Sequence, residues 1–221
     1  MKQAVIVSGG NIDIDFALDF LNRLRKKTPE LMLIAADRGM EFFIRTGIRP
    51  DLVVGDFDSL TEQGKQYLDC HPQLKILRLK PEKDDTDTQS AAGHAAAMGV
   101  KSLILLGATG TRLDHVLANM GLLLWGKKEG IRVKIVDANN YICLAENGRI
   151  LKKREQFGKY VSFFPYGGNV EHLTLKGFKY PLVDYSLKAE DSGLTVSNEI
   201  VEEEAQVIFE SGNLIMIMSR D

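Results

Sequence analysis

The chain has 221 residues, 44% of them hydrophobic, which suits one large globular domain or two small ones with a proper core. Its 28 basic and 30 acidic side chains leave a net charge of -2, so no dominant nucleic-acid-binding field is expected. Cys70 and Cys143 lack metal-ligand spacing and fit a reducing compartment. The first apolar run is soon broken by Gly9-Gly10 and no run reaches spanning length, so we expect a cytoplasmic protein without a membrane partner.

In chain order, short apolar runs fall at 4–7, 31–35, 52–54, 75–79, 103–106 and 133–136. Such runs suit strands buried on both faces of a parallel sheet. Helical spacing appears between them. Phe16, Leu18, Leu21 and Leu24 form one pattern. Ala91, Ala95, Ala96 and Met98 form a small-residue pattern able to lie close to a sheet. Val116, Leu117, Met120, Leu123 and Leu124 form a third. Strand and helix alternate, which predicts a doubly wound, mostly parallel α/β domain over 1–138. Asp137-Ala138-Asn139-Asn140 is the expected join. Beyond it come short alternating runs and turn signals without a useful helical period. This texture predicts a smaller all-β, sandwich-like domain over 139–221. Segments 205–209 and 214–218 flank Glu210-Ser211-Gly212-Asn213 and read as a hairpin.

Carboxylates crowd two places at the ends of apolar runs. Asp56 and Asp58 stand in Gly55-Asp56-Phe57-Asp58-Ser59, with Asp51 just ahead; Asp84, Asp85 and Asp87 stand in Asp84-Asp85-Thr86-Asp87-Thr88. Neighbouring carboxylates repel unless a cation sits among them. For an all-oxygen set the usual cation is Mg²⁺, and its usual companion is a phosphate chain. In an extended chain Asp56 and Asp58 point to one side and suit a metal; the competing role is a helix N-cap at Asp58-Ser59. Asp84 and Asp87 can share a face at a helix start, with Asp85 turned to solvent; there the competing role is capping and dipole compensation.

Further polar segments follow other runs: Ser8-Gly9-Gly10-Asn11, Ala36-Asp37-Arg38-Gly39, and Gly107-Ala108-Thr109-Gly110-Thr111-Arg112-Leu113-Asp114-His115. In a parallel sheet all these ends lie on one rim, where ligands bind. The glycine turn frees amides ahead of a helix, a phosphate seat, and Arg112 can fork onto phosphate oxygens. Asp114 suits a third metal carboxylate or an early-helix acid, and His115 suits polar core. The P-loop, the dinucleotide fingerprint and the nucleophile elbow are all missing from the sequence.

Taken in order, the Ala-Asp-Arg-Gly, Gly-Asp-Phe-Asp-Ser, Asp-Asp-Thr-Asp and glycine-turn segments, with Ser197-Asn198-Glu199 near the C-terminus, resemble the thiamine pyrophosphokinase family. That resemblance implies an α/β domain joined to a β-sandwich-like domain. It implies transfer of pyrophosphate from ATP to thiamine, giving thiamine diphosphate and AMP, by a Mg²⁺-dependent homodimer with its active site between subunits. It makes Asp56, Asp58, Asp84 and Asp87 the catalytic carboxylates, with Asp56, Asp58 and Asp87 on Mg²⁺. It puts Asp37, Arg38, Lys83, Gly107, Thr109, Arg112 and Asp114 on the ATP side. It puts Thr195, Ser197 and Asn198 against thiamine. The family often has Gly where this chain has Arg38 and Thr111.

Two other readings compete. Asp56-Phe57-Asp58 echoes the Asp-x-Asp of haloacid-dehalogenase-like phosphatases, whose first Asp is phosphorylated. That motif normally follows the first strand, whereas this one follows the third apolar run. A non-catalytic module binding nucleotide or thiamine diphosphate is the other; so many clustered acids argue against it.

Overall fold

The computed structural model describes residues 2–80, 82, 84–191 and 193–221. The chain divides into two compact units, Met1–Ala138 and Asn139–Asp221. Among the described residues no helix is long and apolar enough to cross a membrane.

The first unit carries strands β1 (Gln3–Val7), β2 (Met32–Ala36), β3 (Leu52–Gly55), β4 (Ile76–Arg78), β5 (Ser102–Leu106) and β6 (Arg132–Val136). They lie in the order β4-β3-β2-β1-β5-β6, and every pairing is parallel. β2 and β5 are buried along their whole length, as expected for strands covered on both faces. The helices are α1 (Ile14–Lys27), α2 (Met40–Thr46), α3 (Glu62–Cys70), α4 (Asp87–Ala97) and α5 (Leu113–Glu129). The chain runs outward from β1 through β4, then returns to the other side of β1 with β5. That reversal between β1 and β5 is the switch point of a doubly wound sheet, where ligands bind at the strands' carboxyl ends.

Local chemistry explains the helix limits. Asp13 caps α1 by accepting from the Phe16 amide at 2.9 Å. Thr86 caps α4 by accepting from the Gln89 amide at 3.2 Å, and Gly130, at φ 66°, ends α5. Ala91, Ala92 and Ala95 are fully buried, so α4 lies close against β1, β2 and β3. Gly93 on the same helix has open space where a Cβ would stand. We therefore expect Gly93→Ala to stabilise the protein by about 0.5–1 kcal/mol, read as a higher urea midpoint at unchanged slope.

The second unit holds β7 (Asn140–Leu144), β8 (Arg149–Lys152), β9 (Tyr160–Pro165), β10 (Val170–Lys176), β11 (Leu182–Leu187), β12 (Glu204–Ile208) and β13 (Leu214–Ser219). β7, β13 and β9 pair antiparallel in that order. β11, β10, β12 and β8 form a second antiparallel sheet. Side chains from both sets meet in one core that includes Phe163, Leu173, Leu175, Val207 and Met216, with Phe163 and Phe178 edge to face at 5.6 Å. The expected hairpin does not form. β12 pairs β10 and β8, whereas β13 pairs β7 and β9. The turn instead carries the chain between the two strand sets: the Glu171 amide donates to the Ser211 carbonyl, and the Glu210 amide to the Glu171 carbonyl. Alternation names a strand but not its partner.

Candidate active site

The rim of the parallel sheet is tied together by polar contacts from several loops. The Gly10 amide donates to the Gly107 carbonyl at 2.7 Å, and the Asn11 amide to the Thr109 carbonyl at 2.8 Å. A Cβ on Gly10 would stand 2.3 Å from the Thr109 oxygen, so only glycine admits this approach of the two loops. Thr109 Oγ1 donates to Asp137 Oδ2 at 2.8 Å. Buried Asn119, on α5, donates to the Ala108 carbonyl at 2.8 Å and pins the glycine turn from below. The Ser8 and Thr88 hydroxyls share a buried hydrogen bond of 2.9 Å, fastening the end of β1 to the start of α4. Together these loops enclose a cleft of ≈ 480 Å³.

Acids line one side of the unit. Asp37 follows β2 with φ 47°, and Phe57 follows β3 with φ 67°. Positive φ is uncommon for Asp and a genuine outlier for Phe, and such strain clusters at functional sites. Buried Phe57 carries the Arg78 guanidinium 5.3 Å from its ring centre. The turn is completed by the Asp58 amide, which donates to Asp56 Oδ1 at 3.2 Å. Asp56 and Asp58 thus meet through a turn rather than along an extended strand. Asp37 joins them: one oxygen of each carboxylate lies within 4.8 Å of the others. Ser59 Oγ donates to Asp37 Oδ2, while Asp37 Oδ1 is buried without a hydrogen-bond partner. Burial pushes the Asp37 carboxyl upward, the Ser59 and Arg38 hydrogen bonds pull it down, and the charges of Asp87 and Asp56 push it up. A buried, unsatisfied anionic oxygen beside two more carboxylates is a hard-oxygen donor set that fits a small divalent cation.

The structure distributes the other sequence-chosen residues unevenly. Arg38, Asp87, Gly107, Thr109 and Arg112 line the cleft with Asp37 and Asp56. Asp87 opens α4, but Thr86 is the cap; Asp84 therefore precedes the helix, and the two do not share a helical face. Asp85 is exposed, as expected, and also lines the cleft, and Asp84 is not among its lining residues. Asp114 lies outside the lining too. Arg112 grips it by two hydrogen bonds, the shorter 2.5 Å, and that contact holds its carboxyl down at about 2. His115 is exposed and lines the cleft rather than entering the core. Asp51 stands at the opposite end of β3, where its Oδ2 accepts from the Leu33 amide at 2.7 Å; its role is to tie β2 to the segment before β3. Lys83 lies outside the described residues.

In the second unit, segment 195–198 runs beside β9. Thr195 is buried and its hydroxyl donates to the Phe163 carbonyl. Asn198 is buried as well: Oδ1 accepts from the Tyr180 and Glu199 amides, both at 2.9 Å, and Nδ2 donates to the Tyr180 carbonyl at 2.7 Å. Ser197, at φ 55°, is exposed, and its amide donates to Ser162 Oγ at 2.9 Å. Thr195 and Asn198 thus shape the segment that presents Ser197.

Sequence reasoning passed over Ser59, Thr88 and Asn119. Asn119 carries the clearest signal, a polar side chain on the α5 face shared with buried Leu122 and Leu123.

The comparisons with known proteins agree along the whole chain. Residues 24–135 match the family model described as "Thiamin pyrophosphokinase, catalytic domain", and residues 149–214 match "Thiamin pyrophosphokinase, vitamin B1 binding domain". The thiamine pyrophosphokinase of Bacillus subtilis (strain 168) is 34% identical over 223 residues, covering 100% of both chains. A crystal structure of the thiamine pyrophosphokinase from Bacillus subtilis superposes with a TM-score of 0.85 at 33% identity, covering 100% of each chain. The corresponding structure from Geobacillus thermodenitrificans gives 0.82 at 30% identity, covering 99% of this chain and 98% of its own. With both family models matched in order and a relative of this identity spanning its full length, the chain belongs to the thiamine pyrophosphokinase family.

Proposed function

We propose that this chain transfers the pyrophosphoryl group of ATP to the hydroxyl of thiamine, releasing AMP and thiamine diphosphate. The observation that carries the reading is the carboxylate trio Asp37, Asp56 and Asp58, set on the rim of the sheet beside a glycine-lined cleft in a chain of this family. Asp37, Asp56 and Asp58 would hold Mg²⁺. When bound, that ion supplies charge neutralisation for the phosphate chain. On this reading Asp37 would join Asp56 and Asp58 on the metal, while Asp87, also expected on the metal, lines the cleft beside them.

The remaining work falls to the chain itself. Amides of the glycine turn and the Arg38 and Arg112 guanidiniums receive phosphate oxygens. The thiamine hydroxyl oxygen forms a bond to the β-phosphorus. The bond from that phosphorus to the oxygen bridging it to the α-phosphorus breaks, and AMP leaves with the electron pair. Asp58 or Asp87 would accept the hydroxyl proton. Much of the rate arises from alignment and fixed charge. Unit 2 carries thiamine recognition, with Ser197 the exposed contact and Thr195 and Asn198 holding its segment in place. The chain works as a cytoplasmic homodimer. Exposed Tyr180, Val183, Leu194, Val196 and Val201 support the dimer, because a partner subunit would cover such apolar surface.

The test is to incubate the purified chain with thiamine, ATP and Mg²⁺ and separate the products. AMP formed one-for-one with thiamine diphosphate is expected. ADP with thiamine monophosphate would sink the reading. In the same assay Asp58→Ala should lower turnover about 10²-fold or more. Without metal its melting temperature should hold or rise, because Asp58 is exposed and its charge repels Asp37 and Asp56.

A further inference from the structure

Glu41 lies in the first turn of α2, four positions after Asp37. It lines no part of the cleft, yet one of its oxygens is fully engaged. Glu41 Oε1 accepts from the Thr61 amide at 3.1 Å and from Thr61 Oγ1 at 2.7 Å. Thr61 is the N-cap of α3, and its hydroxyl also accepts from the Gly64 amide at 3.1 Å. A carboxylate supplied from α2 therefore sits at the positive end of α3. Gly64 makes room for it: a Cβ there would stand 2.8 Å from Glu41 Oε1. Glycine inside a helix costs about 1 kcal/mol relative to alanine, and an alanine here would have to push the Glu41 carboxylate aside.

The contact has a counterpart nearer the cleft. Ser59 Oγ donates to Asp37 Oδ2. Segment 37–41 and segment 59–61 are thus joined at both ends, by Asp37 with Ser59 and by Glu41 with Thr61. The second segment also carries Asp56 and Asp58 just upstream. The trio's three charges lie within 4.8 Å, and their repulsion tends to drive the two segments apart. A clasp that opposes this separation keeps the donor set assembled before a cation arrives.

We propose that Glu41, Thr61 and Gly64 form a positioning clasp that sets Asp56 and Asp58 against Asp37 and so tunes divalent-metal affinity. This rests on the reading that the trio holds the metal. Glu41 touches no reacting atom; it acts through Thr61 and the loop ahead of it.

The full-length chain, without thiamine or ATP, is titrated with Mn²⁺ and followed by electron paramagnetic resonance. Wild type is compared with Glu41→Ala, Glu41→Gln, Gly64→Ala and an Asp56→Asn control, each shown folded by circular dichroism. Glu41→Ala and Gly64→Ala should each weaken Mn²⁺ binding about tenfold or more, as lost outer-shell partners do. Glu41→Gln should bind like wild type, because an amide oxygen accepts both Thr61 bonds. In turnover assays the Mg²⁺ needed for half-maximal rate should rise in parallel, and saturating Mg²⁺ should restore most of the rate. Gly64→Ala keeps the Glu41 side chain but displaces its Oε1, and it favours the helix, so it tests the clasp even if Glu41→Ala unfolds. Binding by the folded clasp variants within about twofold of wild type, while Asp56→Asn loses it, would overturn the clasp. Glu41→Gln as weak as Glu41→Ala would do the same. Equal binding by wild type and Asp56→Asn would remove the trio as the metal site, and the clasp with it.

Discussion

Asp37→Asn should give a folded protein that forms thiamine diphosphate at least about 10²-fold more slowly and melts higher than wild type in metal-free buffer at neutral pH. The two effects share one cause. Burial and the charges of Asp87 and Asp56 hold the folded-state carboxyl above its ordinary value, and the Ser59 and Arg38 hydrogen bonds only partly offset them. A carboxyl raised in the folded state binds more protons folded than unfolded. Stability therefore falls as pH climbs through the window above the ordinary carboxylate range, and the loss persists at neutral pH. The amide removes that penalty while keeping an oxygen for the Ser59 hydroxyl. The gap between variant and wild type should close as pH drops toward 4, near the unfolded value. Mg²⁺ should reverse the order. Saturation to about 100 times Kd adds about 2.7 kcal/mol to a protein that binds only when folded, and the variant has lost a donor. Melting curves with and without Mg²⁺, at two pH values, read all of this. A variant that melts below wild type without metal, or gains as much from Mg²⁺, would contradict the assignment.

The expected strands carried most of the fold. Each apolar run in the first unit is a parallel strand; for β2 and β5, buried throughout, burial on both faces leaves a signal that needs no partner to be seen. α2 was not legible: Met40, Phe42 and Phe43 are buried within a helix of 7 residues, too short to show a helical period. The hairpin failed for a different reason. The spacing of 205–209 and 214–218 predicts two strands, and both form, but pairing depends on the other strands of the unit. At the rim, sequence order brought the right loops together while dihedral angles chose among their acids. Positive φ at Asp37 and Phe57 places Asp37 with Asp56 and Asp58. Asp85 rather than Asp84 lines the cleft, ahead of a helix that Thr86 caps. Asp51 sits only five positions before Asp56, yet β3 separates them along its length. None of these outcomes follows from spacing alone.

Gly39→Ala should be the most damaging of the small substitutions at the rim, costing about 3 kcal/mol and most of the activity. Dihedral strain is not the reason, since Gly39 sits at φ -57°, where alanine is at ease. Space is the reason. An added Cβ would stand 1.9 Å from the Val7 carbonyl oxygen and 2.6 Å from its carbon. Val7 cannot retreat: β1 is paired on both sides, with β2 and β5, and the Ser8 amide is held by the Leu106 carbonyl at 2.8 Å. The turn that carries Asp37 and Arg38 must move instead, taking one member of the carboxylate trio with it. The neighbouring position differs: exposed Arg38 has its Cβ facing Gly9, the residue that leaves it room. At Gly39 there is no room for any side chain. Urea denaturation should therefore separate Gly39→Ala from Gly93→Ala in sign as well as size. A Gly39→Ala protein with wild-type midpoint and turnover would mean that β1 yields, and that the rim is less rigid than its paired strands imply.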